Sequence, residues 1–134
     1  MPDTAPTRLE LDSEQHVVTA RQAVRKLAQA HGFSLIEQTK LVTAASELAR
    51  NTLIHGGGGH MTMEPLLEGG RVGIRLVFVD EGPGIADMQL AMTDGWTSGS
   101  GLGLGLTGSR RLASEFDIVS APGQGTRVTI VRWK

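Results

Sequence analysis

The sequence predicts an α+β fold, a two-layer sandwich in which a mostly antiparallel mixed sheet is covered on one face by helices. Periodic segments occur in the order β-α-α-β-β-α-loop-α-β-β. Strands therefore fall in adjacent hairpins while helices fall in separate runs, an arrangement typical of such a sheet. The length of 134 residues suits one hydrophobic core, so we expect residues 1–134 to form a single domain.

Composition limits the classes of partner and compartment. The chain has 13 basic and 14 acidic side chains and a net charge of −1, with no basic footprint for nucleic acid or an anionic membrane. It has no cysteine, which excludes disulfides and thiolate metal sites. The polar segment Met1–Glu10 lacks the features of a signal peptide, and no apolar run is long enough to span a bilayer. We therefore expect a cytoplasmic protein without nucleic-acid or membrane partners.

The first third of the chain predicts an edge strand and an amphipathic helix. Residues 1–6 are expected to fray, and Thr7–Leu11 alternates in the manner of an edge strand. Asp12 or Ser13 can cap the helix, which Gly32 ends. Its apolar positions recur at helical spacing and are Val17, Val18, Ala20, Ala23, Val24, Leu27 and Ala28.

A second helix is predicted from a capping box. Ser34 can accept from the backbone three residues later while Glu37 reaches back, so we expect a helix from Ser34 to about Ile54. Glycines 56–59 stop this helix and are interpreted as a flexible loop. The positions assigned to the core are Leu41, Val42, Ala44, Ala45, Leu48, Ala49, Leu53 and Ile54.

The rest of the chain predicts a hairpin followed by glycine-rich segments. Met61–Leu67 and Val72–Val79 are expected to be strands joined by a turn at residues 68–71. The later segments are, in chain order, a short helix at Asp87–Met92, a loop at Asp94–Ser100, a glycine-interleaved stretch at Leu102–Leu106, a helix at Thr107–Ser114, and strands at Phe116–Ser120 and Thr126–Arg132 around a turn at Ala121–Gly125.

Three polar side chains share one face of the second helix. Glu47, Asn51 and His55 are spaced four residues apart, and such groups are expensive to bury without partners. An Asn oxygen suits one coordination position of Mg²⁺ beside a triphosphate, because this ion prefers oxygen ligands and keeps several waters. A carboxylate one turn earlier can orient or deprotonate a hydroxyl. A polar helix edge without function is the alternative.

A carboxylate and two glycines come directly after a segment that is typical of a buried strand. Asp80 can accept a hydrogen bond from a buried amine. Gly82 and Gly84 let a flat ligand lie against the main chain because they have no Cβ atom. Considered alone, the pattern is explained equally well by a plain turn.

Two further glycine segments follow. Residues 99–106 repeat glycine ahead of a helix, where exposed N–H groups and the helix N-terminus bind phosphate. A flexible loop is the alternative, although the alternating leucines do not suit a linker. Gly123–Thr126 is a strand-to-strand turn for which hairpin glycine is the ordinary explanation, and Thr126 offers a side-chain donor there.

Taken together, the four segments form an ordered series. They are Glu47-x-x-x-Asn51, Asp80-x-Gly82-x-Gly84, Gly101-x-Gly103-x-Gly105 and Gly123-x-Gly125-Thr126. This series resembles the ATP-binding superfamily of gyrase B, Hsp90, histidine kinases and MutL, also called the Bergerat fold. Residues 46–51 and 80–85 are most similar to the small bacterial anti-sigma-factor type serine kinases. Residues 94–103, with 111–112, look like the switch kinase of the stressosome within that family.

The resemblance implies a role for each position. Glu47 would be the general base, Asn51 would ligate Mg²⁺, and Asp80 would accept from the adenine amine. Arg50 and His55 would either reach a phosphate or lie beside the site. The positions that the resemblance assigns to nucleotide binding are Asn51, Arg50, His55, Asp80, Gly82, Gly84, Ile85, Gly99, Gly101, Leu102, Gly103, Leu104, Gly105 and Thr126.

The resemblance also implies an activity and partners. The expected ligands are ATP or ADP with Mg²⁺, and the expected reaction is transfer of the γ-phosphate to a serine or threonine of a STAS-domain antagonist. Phosphorylation would release the kinase to bind a downstream regulator, a phosphatase or sigma-related switch protein, in a stress response. Two alternatives stay open: an anti-sigma factor that mainly sequesters a sigma factor, and a nucleotide-gated binding module without transfer activity.

Overall fold

A computed structural model describes residues 6–84 and 106–134 of the chain. The elements in chain order are strand β1 (Thr7–Leu11), helix α1 (Glu14–Ala30), helix α2 (Leu35–Ile54), strands β2 (Gly59–Glu68) and β3 (Arg71–Asp80), helix α3 (Leu106–Leu112), and strands β4 (Glu115–Ser120) and β5 (Thr126–Trp133). All strands and helices predicted within these ranges are present.

The described strands form one sheet in the order β1-β2-β3-β5-β4, and each of their pairings is antiparallel. Strand β1 lies at one edge, as its alternating pattern predicts. Strands β2 and β3 are joined by Gly69 and Gly70, whose φ angles are 56° and 80°. A two-residue turn with positive φ at both positions matches the twist of the paired strands. The predicted hairpin is therefore confirmed.

Helices cover one face of this sheet. Along β3, Ile74, Leu76 and Phe78 are buried, whereas the alternate positions 75, 77 and 79 are partly exposed. Helix α2 is the central helix, because it contacts α1, α3 and the sheet. The buried core joins the two layers, which confirms the predicted two-layer α+β sandwich.

Side-chain caps fix where the two long helices begin. The Ser13 hydroxyl accepts from the N–H of His16 at 3.2 Å. At the start of α2, the Ser34 hydroxyl accepts from the N–H of Glu37 at 3.1 Å, and the Glu37 carboxylate accepts from the N–H of Ser34 at 3.1 Å. The capping box predicted for α2 is thus complete, and it satisfies two N–H groups that the helix itself leaves unpaired.

Two apolar side chains assigned to the core are exposed instead. Val18 is 40% exposed and Ile54 is 42% exposed. Both are one residue out of phase with the buried stripe of their helix, which has the 3.6-residue period. These two positions were predicted to be buried because they are apolar. The position of a residue in the 3.6-residue helical period, and not its hydrophobicity alone, decides whether it faces the sheet.

Several predictions lie outside the described residues. They concern the helix at Asp87–Met92, the loop at Asp94–Ser100, the glycine-interleaved stretch before Leu106, and residues 1–5. Within the described ranges, no helix has both the length and the apolar character needed to cross a membrane.

Candidate functional site

The end of α2 meets the end of β3 and the start of β5 around one cavity. Strand β3 ends at Asp80, whose Cα partners are Gly59 at the start of β2 and Thr126 at the start of β5. The cavity is lined by Leu48, Asn51, Thr52, His55, Phe78, Asp80, Leu106, Thr126 and Val128. Asn51 and Asp80 therefore share one cavity, which a common nucleotide site requires.

Asp80 is the buried carboxylate of this site. The residue is 9% exposed, and the N–H of Gly82 donates to its Oδ1 atom at 2.9 Å. Burial raises the pKa of the Asp80 carboxyl above its ordinary value, while hydrogen bonds from the Gly82 and Thr126 backbones and the charge of His55 oppose that rise. A desolvated acceptor is thus held at the cavity. A ligand amine that donates to it would offset part of its desolvation cost.

His55 contributes a second polar group to the cavity. Its Nε2 atom is buried and has no hydrogen-bond partner among the described residues. Its backbone N–H donates to the Asn51 carbonyl at 3.0 Å, so the ring is carried by the end of the helix. Because buried polar atoms are nearly always paired in folded proteins, this ring suits a polar ligand atom in the cavity.

Thr126 is held by the turn that precedes β5. Its hydroxyl lies 2.8 Å from the Ser120 hydroxyl, which itself donates to the Gly125 carbonyl at 3.0 Å. Since a serine has one hydroxyl proton, Thr126 is the donor in the pair with Ser120, and its oxygen keeps acceptor capacity. The N–H of Gly123 donates to the Pro83 carbonyl at 2.7 Å and ties this turn to the segment after β3.

The enclosed space is small. The cavity measures about 20 Å³, which is room for a water molecule and not for a purine. Two larger grooves adjoin it, and Asp80 lines both: one of about 610 Å³ beside residues 56–59 and β1, and one of about 360 Å³ beside the β4–β5 turn. A purine can therefore enter only if the cavity walls separate or if the ligand extends into a groove.

Glu47 and Arg50 lie on α2 outside the cavity lining. Glu47 is exposed and stands one turn before Asn51. Arg50 forms an ion pair with Glu14 of α1 at 3.7 Å, with side chains that are 49% and 64% exposed. Exposed pairs of this kind contribute little to stability, so Arg50 can exchange Glu14 for another anion at small cost.

The two glycines after Asp80 are packed against the protein itself. A Cβ atom at Gly82 would lie 2.6 Å from the carbonyl oxygen of Gly56. At Gly84, where φ is 74°, a Cβ atom would overlap the carbonyl oxygen of Ala121. Both positions thus require glycine because of backbone packing within the fold. Contact between these glycines and a flat ligand stays a prediction.

Sequence reasoning did not assign five residues of the cavity lining to the site, namely Leu48, Thr52, Phe78, Leu106 and Val128, and it also missed Gly56. Phe78 is 2% exposed and lies on the same side of β3 as Asp80, so the two-residue period of a strand could have identified it. Thr52 is buried one residue after Asn51 and also lines the cavity. Gly56, interpreted as part of a flexible loop, is buried against the Asp80 side chain, and only tertiary packing reveals that contact.

Among the described residues, the only fit to a magnesium ion is a single side-chain oxygen, with the other ligands supplied by nucleotide and water. In the parts of the chain that the structure describes, no group of three or more acidic, histidine or cysteine side chains could hold a metal ion. Asn51 nevertheless places an amide in the cavity that Asp80 lines. A single side-chain oxygen of this kind fits Mg²⁺ that takes its other ligands from phosphate oxygens and water.

Comparison with known proteins places this site in a family context. Residues 36–134 match the model of the family described as histidine kinase-, DNA gyrase B-, and HSP90-like ATPase. The chain is 39% identical over 121 residues to the serine/threonine-protein kinase RsbT of Bacillus subtilis (strain 168), covering 90% of this chain and 91% of that protein. It is 30% identical over 129 residues to the anti-sigma F factor of Thermoanaerobacter sp. (strain X514), covering 92% and 89%. The anti-sigma F factor of Clostridium novyi (strain NT) is 31% identical over 123 residues, covering 88% and 86%.

Proposed function

Because the chain belongs to the histidine kinase-, DNA gyrase B-, and HSP90-like ATPase family, we propose that it is an ATP-dependent protein serine/threonine kinase. Its acceptor is a serine or threonine of a STAS-domain protein. The observation that carries the proposal is the convergence of Asn51, His55, Asp80 and Thr126 on one cavity. A relative named as a protein serine/threonine kinase matches over 90% of the chain, which supports transfer to protein.

The adenine end of the nucleotide is assigned to Asp80. Its carboxylate accepts from the exocyclic amine of the base, and its burial makes such a hydrogen bond strong because water competes poorly there. Phe78 and Val128 supply apolar walls beside it. The acceptor capacity of the Thr126 oxygen suits a water molecule that bridges to the base, and the small cavity has room for one.

The phosphate end of the nucleotide is assigned to the exposed side of α2. When bound, Mg-ATP supplies the phosphoryl group, and the metal ion neutralises phosphate charge. Asn51 holds that ion through its side-chain oxygen. Glu47 takes the proton of the incoming hydroxyl, and its exposure suits an acceptor that arrives on another protein. Positions 85 and 99–105, assigned to the base and phosphates, lie outside the described residues.

Partner switching completes the proposal. Phosphorylation of the STAS-domain protein ends its hold on the kinase, which then binds a downstream regulator, a phosphatase or sigma-related switch protein. The reaction takes place in the cytoplasm, where ATP is supplied. The relatives named as anti-sigma F factors favour a second candidate, in which sequestering a sigma factor is the main act and kinase activity is subsidiary.

The direct test is a transfer assay. The full chain is incubated with Mg-ATP and a candidate STAS-domain protein from the same organism, and phosphoserine or phosphothreonine is identified by mass spectrometry. Stoichiometric modification of one residue is expected. Nucleotide binding without transfer would leave only a nucleotide-gated binding module. Capture of a sigma factor in the presence of ADP, with no modified STAS protein, would favour the sequestering function instead.

Replacing Asp80 with Asn is expected to change ligand affinity and stability in opposite directions. Loss of a charged acceptor for the adenine amine should weaken ATP binding by about ten- to a hundredfold. Burial raises the folded-state pKa of Asp80 above that of the unfolded chain, so the contribution of Asp80 to wild-type stability falls as pH rises from about 4 through the folded-state pKa. In the Asp80→Asn variant, position 80 does not ionise, so this pH-dependent loss of unfolding free energy does not occur.

Calorimetry and urea unfolding at several pH values check both parts of the prediction. The difference in unfolding free energy between Asp80→Asn and wild type should grow as pH rises above about 4 and then level off. Asp117→Asn, which removes an exposed carboxylate on β4 away from the cavity and from both grooves, is the control and should change neither quantity. An unchanged ATP affinity in Asp80→Asn would contradict the role of Asp80 in recognising adenine.

A further inference from the structure

The segment that follows α2 contains a contact that the proposed function does not use. Gly56 is buried, and its N–H donates to the Asn51 carbonyl at 3.0 Å, a bond over five residues that lies just past the end of α2. A Cβ atom built at Gly56 would have three atoms of one side chain as its nearest neighbours, namely Cβ, Cγ and Oδ2 of Asp80, all within 3.0 Å. The side chain of Asp80 therefore fills the space that a side chain at position 56 would need.

We infer that Gly56 is a positioning residue for nucleotide-base recognition: its missing side chain lets the Asp80 carboxylate stay in the cavity, and so sets the preference for a base with an exocyclic amine. The inference rests on the proposed function, since it deepens the role given there to Asp80. Gly56 contacts Asp80, and it acts on the base only through that carboxylate.

Side-chain packing, and not the backbone conformation, requires glycine at position 56. Gly57 and Gly58 have φ angles of 75° and 105°, values that residues with side chains rarely adopt. Gly56 is not among the glycines with positive φ. An alanine at position 56 could therefore keep the backbone conformation. Its methyl group would instead compete with the Asp80 side chain for space.

Gly56 also lies against the backbone of Gly82. A Cβ atom at Gly82 would lie 2.6 Å from the carbonyl oxygen and 2.8 Å from the Cα atom of Gly56. Gly56 thus lies close to both the Asp80 side chain and the Gly82 backbone, whose N–H donates to Asp80 Oδ1 at 2.9 Å. Because a methyl group at position 56 would occupy the space of Asp80 Cβ, Cγ and Oδ2, we expect it to displace the Asp80 carboxylate.

The predicted consequence is a loss of base selectivity. In the wild type, ATP should bind more tightly than purine riboside triphosphate, which has no exocyclic amine, by about tenfold or more. In Gly56→Ala, the carboxylate leaves its position and only the amine-bearing ligand loses a hydrogen bond. ATP affinity should fall by about tenfold or more, the affinity of purine riboside triphosphate should hold within about threefold, and the ratio should approach one.

Titration calorimetry with the two triphosphates in the presence of Mg²⁺ measures this ratio on the full chain. Gly69→Asn is the matched control, because a Cβ atom there meets nothing within 4 Å and Asn tolerates positive φ in a hairpin turn. It should keep the wild-type ratio. An equal fall for both ligands in Gly56→Ala, or an unchanged ratio, would overturn the inference.

A double-mutant comparison tests whether the overlap with Asp80 is the cause, even if Gly56→Ala is too unstable for titration. Asp80→Gly removes all three atoms that crowd position 56. Adding Gly56→Ala should then lower the melting temperature much less than it does in the wild type. An equal loss in both backgrounds would show that Asp80 is not the side chain displaced, and would overturn the inference.

Different results would contradict the proposed nucleotide-dependent function and the positioning role of Gly56. If wild-type protein binds neither triphosphate, the proposed function fails before position 56 is tested. If the wild type binds ATP selectively and Gly56→Ala does so equally well, only the positioning role of Gly56 is lost.

Discussion

Replacing Asn51 with alanine is expected to abolish Mg²⁺-dependent phosphoryl transfer. Within the described ranges, acidic, histidine and cysteine side chains form no group of three that could compensate as metal ligands. Asn51 stands one helical turn after the exposed Glu47 and lines the same cavity as Asp80, to which the adenine contact is assigned by proposal. If Asn51 is the proposed metal ligand, loss of its oxygen would remove the fixed position of the ion, and positioning supplies most of the rate enhancement in phosphoryl transfer.

Transfer to the STAS-domain protein in single-turnover assays measures the effect, which we expect to exceed about a thousandfold. Asn51→Asp, which keeps an oxygen ligand, should retain part of the activity at raised Mg²⁺. Thr43→Ala, on the exposed surface of the same helix two turns earlier, is the control and should transfer normally. Full activity in Asn51→Ala would remove the metal-ligand assignment.

Replacing Glu47 with glutamine is expected to slow transfer by about 10²- to 10⁴-fold while ATP binding stays unchanged, because glutamine keeps the shape of glutamate but cannot take a proton. Glu47 is exposed and lies outside the cavity lining, so its replacement should leave the proposed adenine contacts intact. This pattern separates it from Asp80→Asn, which weakens binding. A fall in kcat with constant ATP affinity is the signature of a group that acts in the chemical step.

Glu68→Gln provides the comparison for Glu47→Gln. Glu68 is exposed next to the β2–β3 turn, at the opposite end of β3 from Asp80, and its loss removes the same charge without touching the site. Both variants should melt within a degree or two of the wild type, since exposed substitutions seldom change stability by more than about 0.5 kcal/mol. Equal transfer rates in Glu47→Gln and wild type would exclude Glu47 as the base.

Local signals explain why so much of the fold was predictable. The beginning of α2 follows from Ser34 and Glu37, which need only each other and the adjacent backbone. The β2–β3 turn follows from two consecutive glycines in the same way. Such features depend on residues close in sequence, so a single chain is enough to identify them.

The parts that could not be predicted depend on contacts between distant segments. Periodicity places Asn51 on a helix and Asp80 at a strand end, but it does not place them at one cavity. That convergence was expected only from the family resemblance. The contact of Gly56 with Asp80 had no local signal at all, because four successive glycines are ordinarily a turn and tertiary packing alone distinguishes the first of them.

The closely packed glycines around Asp80 have a consequence for large-scale mutational screens. Substitutions at Gly82, Gly84 and Gly125 would place side-chain atoms against backbone in all three cases. Variants at these positions should therefore be depleted from cells through degradation, whether or not they bind nucleotide. A survey that scores growth alone would confuse damage to the scaffold with damage to the chemistry, so abundance has to be recorded for every clone alongside fitness.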